Sequence, residues 1–422
     1  MLQTTDREQF IKFDHRAATQ AVAISIAGQP LDAIAPVGLR PPLVSFVLIC
    51  WNYAQYVAET IASIRAQDYP QFECLVIDNG STDRSGDEIV RAIEQDERFK
   101  VITFDENLGH LGAALWALDH IKGSFVTFVD ADDVLFSNFA STHVQVHLAL
   151  PRSVALTSSN VLEINADGGI ITSQYDKFGF GVADRYCFRD AHILPRLSTV
   201  SEDHFGILNA RTLVRKASES GWCWAPGSAN MFRRTVLNFC RIADGQTKRM
   251  RAADNHFNHL SHAIGGTALI DFPSSAYRHH QANYFSNSET LPGLRRGTRA
   301  YVAQATSNRA ETVECVLRNS TDFNWLLPGR YWSLIDQLGQ MGMAVPPFAK
   351  DPHIIAAFTR HITQICAEFG YRATFKEITK RFSTATARSI FKQGLSSSEY
   401  GRVGKYFRRA KIKKFFSLKV KE

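Results

Sequence analysis

The stretch Val126-Thr127-Phe128-Val129-Asp130-Ala131-Asp132-Asp133-Val134-Leu135 decides how the chain is read. A run of apolar and β-branched residues meets three carboxylates, and apolar residues resume at once. A strand that is apolar at consecutive positions is buried on both faces, as in a parallel sheet covered by helices. Carboxylates at its carboxyl end stand where open α/β sheets bind ligands. Their mutual repulsion costs stability unless a cation offsets it. Hard divalent cations take oxygen ligands, often one or two carboxylates together with the phosphates of a substrate. The plainer explanation of so short a motif is a solvated acidic loop leading into a helix near Ser137.

The surroundings favour the first reading. Upstream, Val44–Ile49 reads as a buried strand and is followed by a helix with Val57, Ile61 and Ile64 on one face, ending before Tyr69-Pro70. Phe72–Ile77 is a second strand and runs into Asp78-Asn79-Gly80-Ser81-Thr82-Asp83. A helix over 85–95, a strand over 100–104 and a helix over 109–121 complete the approach to the acidic stretch. Strands alternating with helices of this length predict βαβ units and a mostly parallel sheet. Three loops then share one edge: Trp51-Asn52-Tyr53, the Asp-Asn-Gly-Ser-Thr-Asp run, and the acidic cluster. An aromatic ring for a base, polar groups for its edge and carboxylates for a metal on phosphates make a nucleotide site. Taken singly, Trp51 could be a packing residue and the Gly-Ser-Thr-Asp run a turn and helix cap.

The order and spacing of these pieces resemble glycosyltransferase family 2, which has the nucleotide-sugar-binding GT-A fold. The resemblance rests on Val44–Tyr53, Gln67-x-Tyr69-Pro70, Asp78-x-Gly80-Ser81-Thr82-Asp83, Asn107-x-Gly109 and Asp130-Ala131-Asp132-Asp133, and it reaches to about Asn283. It implies an inverting transfer from a nucleotide diphosphate sugar, assisted by Mn²⁺ or Mg²⁺. By position it places Cys50, Trp51, Asn52, Asp78, Asn79, Asp130, Ala131 and Asp132 on the nucleotide sugar. Asp132, Asp133 and His280 are the implied metal residues, and Asp254 is the implied catalytic base. His280 comes from Tyr277-Arg278-His279-His280-Gln281-Ala282-Asn283, and a buried structural hydrogen bond is its simpler role. Asp254 opens a helical pattern, where an acid also complements the helix dipole. The chain departs from the family at Ile49-Cys50-Trp51, where Pro-Thr-Tyr is usual. It also has Asn79 in place of a second acid and Ala253 in place of a Glu.

Composition narrows the class. With 422 residues, 45% hydrophobic and 21% charged, the chain suits a soluble protein with a large core. Seven cysteines without close pairing suit free thiols in a reducing compartment. No apolar run reaches the roughly 18–20 residues a membrane span needs, and the charged start does not resemble a signal peptide. A cytoplasmic chain is therefore expected. The net charge of +7 is concentrated at one end: nine Lys/Arg and no acid lie between Arg402 and Lys421. With Tyr406, Phe407, Phe415 and Phe416 interleaved, that tail suits an anionic membrane surface on the inner face, or simply a solvated end. No nucleic-acid motif accompanies it, so nucleic acid is not an expected partner.

Four segments follow: an N-terminal extension (1–42), a GT-A domain (43–290), a helical region (291–400) and the basic aromatic tail (401–422). In the third, Asp351-Pro352 reads as an N-cap with proline at the first helical position, and Gly370 as the stop. The irregular run from Tyr175 to Gly221 would cover an acceptor, taken to be a glycan or glycolipid of cell-surface polysaccharide synthesis, or be a surface insertion. Two other readings are a nucleotidyltransferase, which would need a glycine-rich basic loop after the first strand, and a non-catalytic nucleotide-sugar-binding protein.

Overall fold

The structure is a computed structural model, and it describes residues 22–34, 39–150, 154–179, 194–242, 253–281, 283, 299–341 and 347–419. Four strands, β1 (Val44–Cys50), β2 (Phe72–Asp78), β3 (Phe99–Thr103) and β4 (Phe125–Asp130), alternate with helices α1 (Val57–Arg65), α2 (Ser85–Ile93) and α3 (His110–Ala117). After helix α4 (Phe139–Ala149) come β5 (Leu156–Ile164), β6 (Thr212–Arg215), β7 (Asn230–Arg233), helix α5 (Ala253–Gly265) and β8 (Thr267–Arg278). The main path of the sheet runs β6-β8-β5-β7-β4-β1-β2-β3. Neighbours from β4 to β3 are parallel, β5 and β8 are parallel, and β7 is antiparallel to both β4 and β5. The mostly parallel α/β architecture with a helical C-terminal region is therefore present.

Apolar continuity explains the layering. Every residue of β1 and β2 is buried, because helices cover both faces, as parallel sheets require. On one side Phe46, Val57, Ile61, Ile64, Val76 and Phe139 pack together. On the other, Val47, Leu75, Phe128 and Phe257 join a core that continues into Val313, Ile354 and Phe358 of the C-terminal helices. That region behaves as its sequence suggests. Asp351 caps the helix Pro352–Phe369 by accepting from the His353 N–H, and Gly370 ends it at φ +79°.

Read locally, the sequence predicts strands over 154–158, 161–164 and 267–271 and an irregular run over 175–221, and the structure corrects each. The first two are one strand, β5. The strand expected at 267–271 runs on to Arg278, its register shifting on either side of Pro273, where proline's missing N–H is tolerated at an irregularity. The irregular region holds a helix, Glu202–Arg211, capped by Ser201. Only Phe205 and Leu208 of it are buried, too few for a visible period. Within that region 180–193 lies outside the described residues, as do 1–21 and 35–38 of the N-terminal extension. There, Ile24–Ile26 pairs with Gln29–Pro30 and with Arg196–Leu197. The tail is helical over Ser397–Lys419, anchored by buried Val403 and Phe407, and its side chains from 409 onward lie outside the described residues.

The loops of the carboxyl edge are locked together at Gly80. Its φ is +71°, and a Cβ there would lie 2.7 Å from the Glu106 carbonyl carbon. Gly80→Ala is expected to cost about 1–3 kcal/mol through backbone strain, read as a lower urea or thermal midpoint. An unchanged midpoint would show that the two loops do not constrain each other.

Candidate active site

Strand register brings the candidate residues to one edge. Cys50 pairs with Asp78, Ile49 with Asp130, and Asp78 with Thr103, so β1, β2 and β4 end level. The first two loops are stitched by hydrogen bonds. Asn52, at φ +60°, donates its N–H to Ser81 Oγ (3.0 Å), and its Oδ1 accepts from the Thr82 N–H (2.8 Å). Tyr53 N–H donates to Ser85 Oγ and Ala54 N–H to Asp83 Oδ2. Asp78 accepts from the Ser81 N–H (3.0 Å).

Asn79 is turned inward. Its Oδ1 accepts from the Leu108 N–H and its Nδ2 donates to Asn107 Oδ1, both at 3.0 Å, and Asn107 Oδ1 also accepts from the Gly109 N–H. Cys50 is buried too, and burial pushes its thiol up to about 11. Asp78, Asn79 and Cys50 thus hold the frame, while Trp51 is 49% exposed at the same edge.

The acidic loop is pinned from two sides. Thr60 of α1 donates to the Ala131 carbonyl (2.9 Å) and lies 2.8 Å from that of Asp133. From the end of β8, the Arg278 N–H donates to Asp133 Oδ1 (3.1 Å), and its Nε donates to the Asp132 carbonyl (2.8 Å). The Arg278 guanidinium also pairs with Glu59 and lies over the Tyr56 ring. His280 Nε2 is 2.9 Å from Asp132 Oδ2, which also accepts from Asn283 Nδ2 (3.3 Å). The His280 ring is held against Tyr56 and Tyr53 at 5.0 and 5.6 Å.

Charge and burial conflict here. Burial raises the Asp132 carboxyl, and Asp130 raises it further against the pull of His280. Burial, Asp132 and Asp130 hold Asp133 well above the usual carboxylate range. Hard oxygen donors carrying uncompensated negative charge fit a divalent cation. Among the described residues no three His, Cys, Asp or Glu side chains form a complete metal cage. Asp132 and Asp133 would therefore hold the ion together with oxygens of a ligand, and His280 would reach it only by yielding Asp132.

Asp254 lies in the first turn of α5, whose Phe257 stacks on Phe128 of β4, ring centroids 5.0 Å apart. That stack fixes the helix against the strand that ends in Asp130. Between the two acids stands Gly227: a Cβ on it would lie 3.1 Å from Asp130 Oδ2 and 3.9 Å from Asp254 Cβ. Burial and then Asp130 raise the Asp254 carboxyl to about 6, while His110 pulls it down. A carboxylate so tuned is suited to accept a proton near neutral pH. Ser228 accepts the Asp130 N–H at 3.0 Å.

Sequence reasoning missed Gly227, Ser228, Arg278 as a clamp, and His110. His110 immediately follows the Asn107-x-Gly109 motif, so its place at a helix start facing the edge was the available signal. A cavity of about 520 Å³ lined by Val154, Arg215, Lys216, Gly266 and Arg330 lies at the opposite edge of the sheet and touches none of these acids.

The profile described as glycosyl transferase family 2 matches residues 45–204. An uncharacterised glycosyltransferase of a Nostoc species is 38% identical over 241 residues, 57% of this chain and 66% of that protein. An Escherichia coli protein named as a UDP-Glc:α-D-GlcNAc-diphosphoundecaprenol β-1,3-glucosyltransferase is 28% identical over 123 residues, 29% of this chain and 47% of its own length. The chain spans about half the length of the curated relatives it matches. Among solved structures, Staphylococcus aureus TarS 1-349 in complex with UDP-GlcNAc aligns over 87% of this chain and 92% of that one, with a TM-score of 0.41 and 14% identity.

At neutral pH and without divalent metal, Asp133→Asn is expected to melt no lower than the unsubstituted protein. It removes a buried charge and keeps an oxygen for the Arg278 N–H. A loss of more than about 1 kcal/mol of unfolding free energy would mean that Asp133 is already compensated.

Proposed function

We propose that this chain, which belongs to glycosyl transferase family 2 through residues 45–204, transfers a glycosyl unit from a nucleoside diphosphate sugar to an acceptor hydroxyl with inversion at the anomeric carbon. The observation that carries this reading is the placing of Asp130 and Asp254 on either side of Gly227, at the edge that also presents Trp51. Trp51 would offer a flat apolar face to the base, and Asp130 would hold the ribose and sugar. The diphosphate would lie over Asp132 and Asp133. Mn²⁺ or Mg²⁺ bound by these carboxylates would neutralise charge developing on the departing diphosphate.

The acceptor oxygen attacks the anomeric carbon from the face opposite the diphosphate. The bond from that carbon to the β-phosphate oxygen breaks, and Asp254 takes the acceptor's proton. Burial of Asp254 beside Asp130 makes it a stronger base than an ordinary carboxylate. The name of the E. coli relative, which includes a lipid diphosphate acceptor, supports a glycan or glycolipid acceptor in surface polysaccharide synthesis. Among the described residues no helix is long and apolar enough to cross a membrane. The basic tail would instead draw the protein to the anionic inner face, where a lipid-linked acceptor is presented.

The test is release of nucleoside diphosphate from UDP-glucose, UDP-N-acetylglucosamine and GDP-mannose, with Mn²⁺ and with EDTA. Metal-dependent release from at least one is expected; none from any donor with any acceptor would sink the proposal. Asp254 must be ionised to act, so kcat/KM should fall about tenfold per pH unit below its pKa of about 6 and level off above it. Asp254→Asn should lower kcat by about 10²–10⁴ and abolish that acid limb. For the tail, the full chain should sediment with phosphatidylglycerol vesicles but not with phosphatidylcholine vesicles, and come off as salt rises. Equal sedimentation with both would argue against a charge-driven contact.

A further inference from the structure

We infer that His110 is a positioning residue for the transfer, holding the helix that carries Asp254 in register with the strand end that carries Asp130. The inference rests on the proposed role of Asp254. His110 is the first residue of α3, after Gly109 at φ +77°. Its imidazole reaches two other elements. Nδ1 lies 3.4 Å from the backbone nitrogen of Ala253, whose N–H it accepts. Nε2 lies 3.2 Å from Asp130 Oδ1, off the line of a full hydrogen bond, and among the described residues has no other partner.

Ala253 starts α5, and an N–H of its first turn has no partner within the helix. The imidazole supplies one from outside. The other end of the same ring faces the carboxylate at the end of β4. Burial lowers the imidazole and Asp130 outweighs it, so the ring's pKa stands above the ordinary histidine value; above that pKa the neutral ring, with its proton on Nε2, makes both contacts at once, since Nδ1 is then a bare acceptor and Nε2–H a donor.

The arrangement has a physical purpose. Asp130 and Asp254 repel each other, and burial keeps water from relieving the repulsion. Their positions around Gly227 are set to within ångströms, and a small displacement of a catalytic group costs a large factor in rate. The Phe128–Phe257 stack holds α5 one turn further along. The first turn itself, where Asp254 stands, is tied to the strand side by His110. A deprotonated ring nitrogen facing an amide and a protonated one facing a carboxylate is the pattern by which a histidine orients a neighbouring group.

The experiment uses the full chain with the donor that gives metal-dependent release. His110→Phe keeps an aromatic ring and removes both nitrogens, while His110→Gln keeps an amide donor. His110→Phe is expected to lower kcat on the order of tenfold with donor KM changed less than about threefold and an unaltered melting midpoint. His110→Gln should recover part of the rate. In the Asp254→Asn background the cost of His110→Phe should shrink to less than about twofold, because a residue that acts through another has nothing left to position.

Wild-type kcat in His110→Phe would overturn the inference and leave the function standing. So would a loss that follows the melting midpoint, or one that persists undiminished without Asp254. Full activity in Asp254→Asn alone would sink the assignment of the base, and this inference with it. A readout that needs no substrate is the ¹⁵N spectrum of the histidines at alkaline pH. A His110 proton on Nε2 is expected, and one on Nδ1 would overturn the inference.

Discussion

Two carboxylates that cannot both be comfortable as anions govern the design of this molecule. Asp132 and Asp133 are buried side by side within reach of Asp130's field. Charges out of water cost several kcal/mol each unless something answers them. The fold answers in part: Arg278 gives its backbone N–H and its guanidinium to this loop, His280 and Asn283 close on Asp132, and Thr60 braces the carbonyls. The answer is incomplete, and under the proposed function the residual negative charge would draw a cation carrying phosphates. Polar residues from three separate stretches of chain, at 60, 228 and 278–283, are committed to this one loop.

The same economy appears in the neighbouring loops. Level strand ends would leave three loops free to wander, yet each is tied to the next. Asn52 bonds into 81–82, Asp83 reaches back to Ala54, and Asn79 grips 107–108. Side chains of the types that read ligands are here used as internal struts. Such a frame leaves the exposed Trp51 and the partly exposed Asp130 standing on a rigid base, the condition under which a site works without reorganising.

Much of this was legible in the sequence because it depends on local rules. Consecutive apolar residues in Val44–Ile49 and Phe72–Ile77 marked buried parallel strands, and Asp351-Pro352 and Gly370 marked a helix start and stop. The family resemblance put a name to the order of the loops. What escaped depends on contacts between distant segments. Nothing near Gly227 in sequence tells that two carboxylates will stand on either side of it. Nothing near Asn79 tells that its amide will be engaged by 107–108. The continuation of β8 through Pro273 was hidden because proline argues locally against a strand, and only the register shift in the assembled sheet reconciles the two.

That uninterrupted strand has a mechanical consequence. Between Thr267 and Ile270, β8 pairs with β5 and β6 in the body of the sheet, and beyond Pro273 it pairs with Val134–Leu135, just past the acids. It then delivers Arg278 to the loop. The wall of the cleft on that side is thus a girder continuous with the foundation, with no hinge between them.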